Sequence, residues 1–582
     1  MNPLACLSIS PGDLVHPGIA IATARAGGVG LLDLEFSTSL ESVEQNLRKL
    51  LAKTTGEVGL RLNGQQLQDA SHLLDLLRGR PHWIILSGFN VSQVSDLSGV
   101  ENRRLLLEVT GMDQLSTIAK MPVDGVVARG NEAGGRVGEE SAFILTQHLL
   151  DKQQHAVYVQ GGIGVATSAA CRVAGAAGVI FDDQLLLMSE SPLPVASQSH
   201  LEKLGGQETE VIGSRLGDGV RVLNRPGWKV VSTLRKLADN AEANSEKVKD
   251  WADAVDENVS WGPPGVAAWP VGQAIGYASR YRDRFRTVGR FIQYLVRETE
   301  HYINLANEIR PLQAGSPLAA DHGTRFPIAQ GPMTRVSDRA GFAMAVAENG
   351  GMPFLALALM KGEQVLDLLK QTRDLLGDHP WGVGLLGFVS QRLREAQMDA
   401  IREVKPSFAV IAGGRPDQAN QFEAMGIPAY IHVPSPALLP LFLEQGARRF
   451  ILEGRECGGH VGPLSSFVLW ENMIEVLLEH VSENEGPGVS VLFAGGIHDS
   501  RSAAMVSTLA APLCKRGIRI GILMGTAYLF TREAVESGAI RSGFQEQALR
   551  STHTVNLETG PGHASRCAVT PFAREFYNTR AQ

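Results

Sequence analysis

Hydrophobic positions along this chain switch repeatedly between two spacings. Short apolar runs of four to seven residues alternate with longer stretches whose apolar residues recur every three to four positions. The first kind marks strands and the second amphipathic helices. Over the first third, strands are predicted at 4–10, 29–34, 58–62, 83–86, 104–109, 125–128, 156–160 and 178–181. Helices are predicted at 19–26, 40–53, 67–78, 112–120, 141–152 and 168–176, with Leu47, Leu50 and Leu51 at helical spacing in the second. Strict alternation without a long antiparallel run means a parallel sheet, either doubly wound or closed into a barrel.

Residues 200–320 break the rhythm. The stretch 230–255 is charged and helix-prone, Pro263-Pro264 and Trp269-Pro270 punctuate the residues after it, and 286–309 is a second amphipathic helical stretch. This reads as helical decoration and a connector without a sheet of its own. Alternation then restarts. Strands are predicted at 328–329, 354–358, 381–386, 408–411, 429–432, 449–452, 489–493 and 518–524. Helices are predicted at 340–349, 362–376, 390–404, 418–425, 436–445, 465–480 and 502–510.

The two alternating segments repeat in register. Gly27-Gly28 recurs as Gly350-Gly351, Gly134-Gly135 as Gly458-Gly459, and Gly161-Gly162-Ile163 as Gly495-Gly496-Ile497, each displaced by a similar number of residues. Self-similarity on this scale signals two tandem domains of one fold. One pair of loops differs in a telling way. Arg455-Glu456-Cys457-Gly458-Gly459-His460-Val461-Gly462 comes after a strand and precedes a helix; its upstream twin is Glu132-Ala133-Gly134-Gly135-Arg136-Val137-Gly138, with arginine in place of histidine.

Composition narrows the classes. An apolar fraction of 44% can fill large cores, and 63 glycines suit a fold with many tight turns. A net charge of −7 without Lys/Arg runs argues against nucleic acid as the main partner. The five cysteines are scattered without metal-ligand spacing, which predicts no metal site and a reduced, cytoplasmic setting. The amino terminus lacks the pattern of a signal peptide, and no apolar run is long enough to span a membrane.

Candidate chemistry gathers in the second segment. A phosphate is well held where the N–H groups of a glycine turn meet a helix N-terminus. Ala494-Gly495-Gly496-Ile497 and Met524-Gly525-Thr526 are two such turns on successive strands, and in closed barrels the last two loops often form a phosphate site. Glycines also simply end strands; two such turns beside a histidine loop favour the phosphate reading. His460, a histidine on a glycine-rich loop, is a candidate for proton transfer. Cys457 reads as a small residue in a tight turn rather than a nucleophile.

These residues resemble the nitronate monooxygenase (2-nitropropane dioxygenase) family of FMN-dependent TIM barrels, which includes flavin-dependent enoyl-ACP reductases. Gln330-Gly331-Pro332-Met333 resembles that family's first-strand loop against the flavin. The run from Glu453 to His460 resembles its most specific motif, and the turns at Gly495 and Gly525 its phosphate loops. The resemblance covers 324–540. Gly384 stands where nitronate monooxygenases usually carry asparagine, and Glu453 where they usually carry glutamine. The segment 558–568 is similar to the tails of members attached to polyketide and polyunsaturated fatty acid synthases.

The resemblance implies two tandem (β/α)8 barrels joined by a helical segment: a degenerate barrel at 1–200, a helical lid and connector at 201–320, and an FMN-binding barrel at 321–582. It implies His460 as the catalytic residue. The implied FMN contacts are Gly331, Pro332, Met333, Gly384, Glu453, Gly458, Gly459, Ala494, Gly495, Gly496, Ile497, Met524, Gly525 and Thr526. The implied reaction is reduction of an enoyl thioester on a carrier protein, with NAD(P)H as electron donor and other synthase components as possible partners. Nitronate oxidation with O₂, or a non-catalytic scaffold in a synthase complex, are the alternatives. The first half resembles the family more weakly. Arg136 replaces the histidine, and Phe181-Asp182-Asp183-Gln184 puts carboxylates where a phosphate would sit. Trp269-Pro270-Val271-Gly272-Gln273 resembles the family's Gly-Gln lid. The first barrel is therefore expected to be catalytically silent and not to hold FMN tightly.

Overall fold

The computed structural model describes residues 3–37, 39–152, 154–560 and 563–580. Contacts divide the chain into two units, 1–301 and 302–580, each built on one closed eight-stranded parallel barrel.

The first barrel is formed by β1 (Ala5–Ile9), β2 (Val29–Asp33), β3 (Val58–Asn63), β4 (His82–Ser87), β5 (Arg103–Val109) and β6 (Gly125–Arg129). A short strand outside it, β7 (Gly135–Val137), intervenes before β8 (Ala156–Gln160) and β9 (Gly178–Phe181) complete the ring. Closure is made by β1 against β9, with Ser8 opposite Phe181. Alternate strand residues point inward, as the pleat requires. Leu7, Ile9, Leu31, Trp83, Ile85, Leu106, Val127, Tyr158 and Ile180 fill the interior as one cluster. Each such aliphatic side chain, taken from water to full burial, stabilises the fold by roughly 1.5–3 kcal/mol.

Residues 209–223 correct the reading of 200–320 as purely helical. They form an antiparallel hairpin, β10 (Thr209–Ile212) and β11 (Gly219–Leu223), which extends β7 into a three-stranded sheet. Helices Lys229–Ala243 and Val248–Asn258 cover this hairpin, burying Val231, Leu234, Trp251 and Val255 with Ile212, Val220 and Val222. The helical stretch expected at 286–309 is observed as Val288–Ile309, preceded by Ile275–Phe285. One helix within the first barrel, Val91–Leu97, was not anticipated; its Asn90–Gln93 capping box is the signal that marks it.

The second barrel runs β12 (Ile328–Gln330), β13 (Met352–Ala356), β14 (Gly382–Leu386), β15 (Phe408–Ala412), β16 (Ala429–His432) and β17 (Arg449–Glu453). After an outlying strand β18 (Gly459–Val461), β19 (Ser490–Ala494) and β20 (Arg519–Met524) close it, with Gln330 opposite Met524. Phe354, Val410, Tyr430, Ile451 and Leu492 fill the interior. Here too a late hairpin, β21 (Thr554–Gly560) and β22 (His563–Ala568), pairs antiparallel with the outlying strand. The internal repeat thus includes this second, smaller sheet: in both units the hairpin's second strand seats against the loop strand that comes after the sixth barrel strand. Among the described residues, no helix is long and apolar enough to cross a membrane.

Candidate active site

The carboxyl ends of the second barrel's strands bring the glycine turns together. Gly331 N–H donates to Met524 O at 2.8 Å, tying the loop after β12 to the end of β20. A Cβ built on Gly525 would lie 3.5 Å from Met333 Sδ, and one on Gly458 3.3 Å from Thr526 Oγ1. Met333, Gly458, Gly525 and Thr526, which come from three different loops, are therefore neighbours. Gly459 has a φ of +85° and nothing within 4 Å of a built Cβ, so its face is open.

Gly495 and Gly496, after β19, adopt φ of +125° and +68°. A Cβ on Gly495 would lie 2.5 Å from Ser466 Oγ, so both backbone and space demand glycine. Ala494 is buried at the strand end, paired with Glu453 across the β17–β19 ladder, and Ile497 is buried beyond the turn. Gly384 has a different reason. A Cβ there would come within 2.2 Å of Pro332, so the missing side chain makes room for the proline of the loop after β12.

The loop after β17 separates scaffolding from chemistry. Glu456 accepts from Ser466 N–H at 2.8 Å and Ser466 Oγ at 2.6 Å, capping the helix Ser466–His480. Its twin Glu132 does the same for Ala142 N–H at 3.0 Å in the first barrel. The carboxylate shared by both copies is thus a structural cap. Arg455 reaches Glu558 at 3.2 Å on β21, and Arg566 on β22 donates to Arg455 O at 2.8 Å. β18 and β22 pair with His460 opposite Ser565. His460 is exposed, with its ring 6.2 Å from that of Phe388, itself exposed on the loop after β14. Burial, reinforced by the Glu453 and Glu456 carboxylates, pushes the Cys457 thiol well up, which disfavours its thiolate.

One residue of the site escaped the sequence reading. His432 ends β16, and its Nδ1 lies 2.8 Å from Glu453 Oε2 at the end of β17. Its Nε2 is buried with no hydrogen-bond partner, and so is Gln330 Nε2 at the end of β12. The signal was available: in Ala429-Tyr430-Ile431-His432, Tyr430 points inward, so period-two alternation puts His432 inward as well.

The first barrel fills the corresponding space with its own groups. Gly161 and Gly162 keep the same turn, with φ of +111° and +65°. There, however, Tyr277 OH donates to Gly162 O at 3.2 Å, Tyr281 OH accepts from Val165 N–H at 3.2 Å, and Gln184 Nε2 donates to Ile163 O at 2.6 Å. Asp183 Oδ2 accepts from Gly272 N–H at 2.9 Å, and Gln273 N–H donates to Glu132 O at 2.8 Å. The Trp269–Gln273 stretch therefore lies across its own barrel mouth. Arg136 is held by Asp218 and by Asp256 at 2.7 Å.

A (β/α)8 barrel whose glycine turns converge at the carboxyl ends of its strands, beside a histidine loop, has its candidate site where such folds place their chemistry. A particular family can then be named beside it: residues 316–582 match the nitronate monooxygenase family model. Among curated proteins, it is similar to (3aS,4S,5R,7aS)-5-hydroxy-7a-methyl-1-oxo-octahydro-1H-indene-4-carboxyl-CoA dehydrogenase of Mycobacterium tuberculosis. The two are 27% identical over 255 residues, which is 43% of this chain and 65% of that protein. It is also similar to nitronate monooxygenase npaC of Metarhizium robertsii, at 28% over 254 residues, 39% of this chain and 65% of that one. The chain thus matches just under two thirds of the length of each. Among solved structures, FabK from Thermotoga maritima aligns over 53% of this chain and 96% of its own, with 19% identity and a TM-score of 0.44. Among the described residues, no cluster of three or more His, Cys, Asp or Glu could hold a metal ion.

Proposed function

We propose that the second barrel is an FMN-dependent oxidoreductase acting on an acyl thioester, and that its reaction is reduction of an enoyl thioester with NAD(P)H as donor. The observation that carries the flavin assignment is the pairing of glycine turns at Gly458-Gly459, Gly495-Gly496 and Gly525-Thr526 with two orphaned buried nitrogens, Gln330 Nε2 and His432 Nε2. Buried polar atoms without partners are rare in native folds and mark where a polar ligand completes them. In this reading the turns hold the phosphate, while Gln330, the Gly331–Met333 loop and the Glu453–His432 pair meet the ring system.

FMN, when bound, supplies hydride transfer; the residues supply binding, orientation and proton management. His460, exposed on the rim beside Phe388, is placed to polarise or protonate the substrate. Glu453 fixes which ring nitrogen of His432 faces the carboxylate. An acyl thioester is favoured by the mycobacterial relative, whose name describes a CoA thioester substrate. The carrier protein and the membership of a synthase rest on the tail segment 558–568. Alkyl nitronate oxidation is the second reading, favoured by the Metarhizium relative.

The test is direct. Purified protein should be yellow, its flavin bleached anaerobically by NAD(P)H and reoxidised by an enoyl thioester. Bleaching by an alkyl nitronate with no response to enoyl thioesters would transfer the assignment to the second reading. Protein that takes up no flavin would leave the scaffold reading in place.

A further inference from the structure

The first barrel's mouth is blocked to a phosphate but is not solid. At the carboxyl ends of its strands lies a cavity of about 40 Å³, lined by Asp33, Glu35, Arg129, Gln160, Asp182 and Asp183, with Phe36 and Trp261 among its walls. Space of this size takes a molecule of a few heavy atoms.

The charges around it do not balance. Arg61 pairs with Asp33 at 3.0 Å, Glu35 at 2.8 Å and Glu108 at 2.7 Å; Arg129 reaches Glu35 at 3.2 Å and Glu108 at 3.3 Å. Asp182, half-buried, and Asp183, buried, add two more carboxyls. Arg221, the further cation nearby, gives donors to Asn131 O and to Thr209 Oγ1. Carboxyl groups therefore outnumber guanidiniums in a space shielded from water, where uncompensated charge is expensive. An independent observation points the same way. Gln160 is 2% exposed and lines the cavity; its Nε2 donates to Asp182 Oδ2 at 2.8 Å, and its Oε1 accepts from nothing. The orphan is an acceptor, set among carboxylates that are acceptors too. Arg129 Nε and Trp261 Nε1 are also unpartnered, so an oxygen on the ligand would find donors.

We propose that the first barrel is a binding domain for a small organic cation, a primary ammonium of a few heavy atoms, seated between Gln160, Asp182 and the Asp33–Glu35 carboxylates. The ammonium donates to Gln160 Oε1 and to the carboxylates. The degenerate barrel has then exchanged an anionic ligand for a cationic one. The turn after β9, which in the second barrel is Gly525-Thr526, here carries Asp182 and Asp183 against a phosphate. Burial raises the carboxyls of Asp33, Asp182 and Asp183, so without the cation protons take up part of the excess charge.

The experiment uses the full chain with its flavin. Thermal unfolding and tryptophan fluorescence are followed on titration with methylammonium chloride and, separately, ethanolammonium chloride. Sodium chloride at matched ionic strength and tetramethylammonium chloride serve as controls. The expected result is a saturable rise in the first unit's midpoint and a fluorescence change with the primary ammonium salts alone. Asp182→Asn and Gln160→Met should each weaken the apparent affinity by about tenfold or more, a drop that appears directly as a smaller midpoint shift. Flavin absorbance should not change, which keeps this outcome separate from that of the second barrel's assignment. Equal shifts with sodium chloride, or shifts undiminished in both variants, would show that the cavity holds water only and overturn the proposal.

Discussion

Glu456 and His460 lie four positions apart on one loop, yet only the glutamate has a counterpart in the other barrel. The structure explains the asymmetry. Glu132 and Glu456 cap the next helix, a role any copy of the fold needs, whereas Arg136 pairs with Asp218 and Asp256 and His460 lies by Phe388. The loop's glycines and its glutamate are legible in the sequence because backbone geometry dictates them. The difference between histidine and arginine is legible as a difference, but the two aspartates that hold Arg136 come from Asp218 and Asp256, far along the chain. Two predictions belong at this scale. His460→Ala should lower turnover by about 10²-fold or more while leaving flavin bound, the range expected for loss of a proton-transferring group; steady-state kinetics beside the flavin-to-protein absorbance ratio measures both. Arg136→Ala should leave turnover nearly unchanged. Gly495→Ala forces a side chain into φ +125° and toward Ser466 Oγ, at a cost of about 1–3 kcal/mol. It should therefore shed flavin on gel filtration where wild type retains it.

At the scale of elements, sixteen barrel strands could be read from alternating periodicity, and the short antiparallel sheets could not. β7 and β18 have three residues each, too few for a period to show, and both are built largely of glycine-loop residues. Their partners lie far downstream, so nothing local announces them. These hairpins bear on function. β22 supplies the ladder beside His460, and Arg566 binds Arg455 O at 2.8 Å and Thr554 Oγ1 at 2.6 Å, fastening loop and hairpin together. Charged hydrogen bonds of this kind contribute about 1.5–3 kcal/mol each. Arg566→Ala should therefore loosen the His460 loop while leaving the Gly495-Gly496 and Gly525-Thr526 turns in place. Its expected signature is a fall in kcat with flavin occupancy intact and faster amide exchange over 455–461. Unchanged exchange in that loop would mean that the hairpin does not position it.

At the scale of the whole molecule, the large burial shifts on carboxyls lie in the first barrel and that on a histidine in the second, and their stabilities should respond to pH in opposite directions. In the first unit, burial raises Asp33 to about 6 and Glu108 to about 7, despite the Arg61 guanidinium beside both. The folded state then holds protons that the unfolded chain releases above the ordinary carboxyl range near 4. Stability from these groups is greatest at or below that range and declines as pH rises toward about 7. In the second unit, burial lowers His322 to about 4, and Arg449 and Arg519 act the same way against Asp321; its Nε2 lies 2.8 Å from Tyr430 OH in the barrel core. The unfolded imidazole takes up a proton near 6.5 and the folded one resists it. This unit therefore keeps its stability above about 6.5 and loses it as pH falls toward 4. Five of the seven tryptophans lie in the first unit, so their fluorescence tracks it, while flavin release tracks the second. Between about pH 4 and pH 7 the tryptophan-reported midpoint should fall with rising pH while the flavin-reported midpoint climbs. Glu108→Gln should flatten the first trend and His322→Gln the second. Midpoints that move together across this window would mean that other groups, not these two buried clusters, set the acid–base response of each barrel.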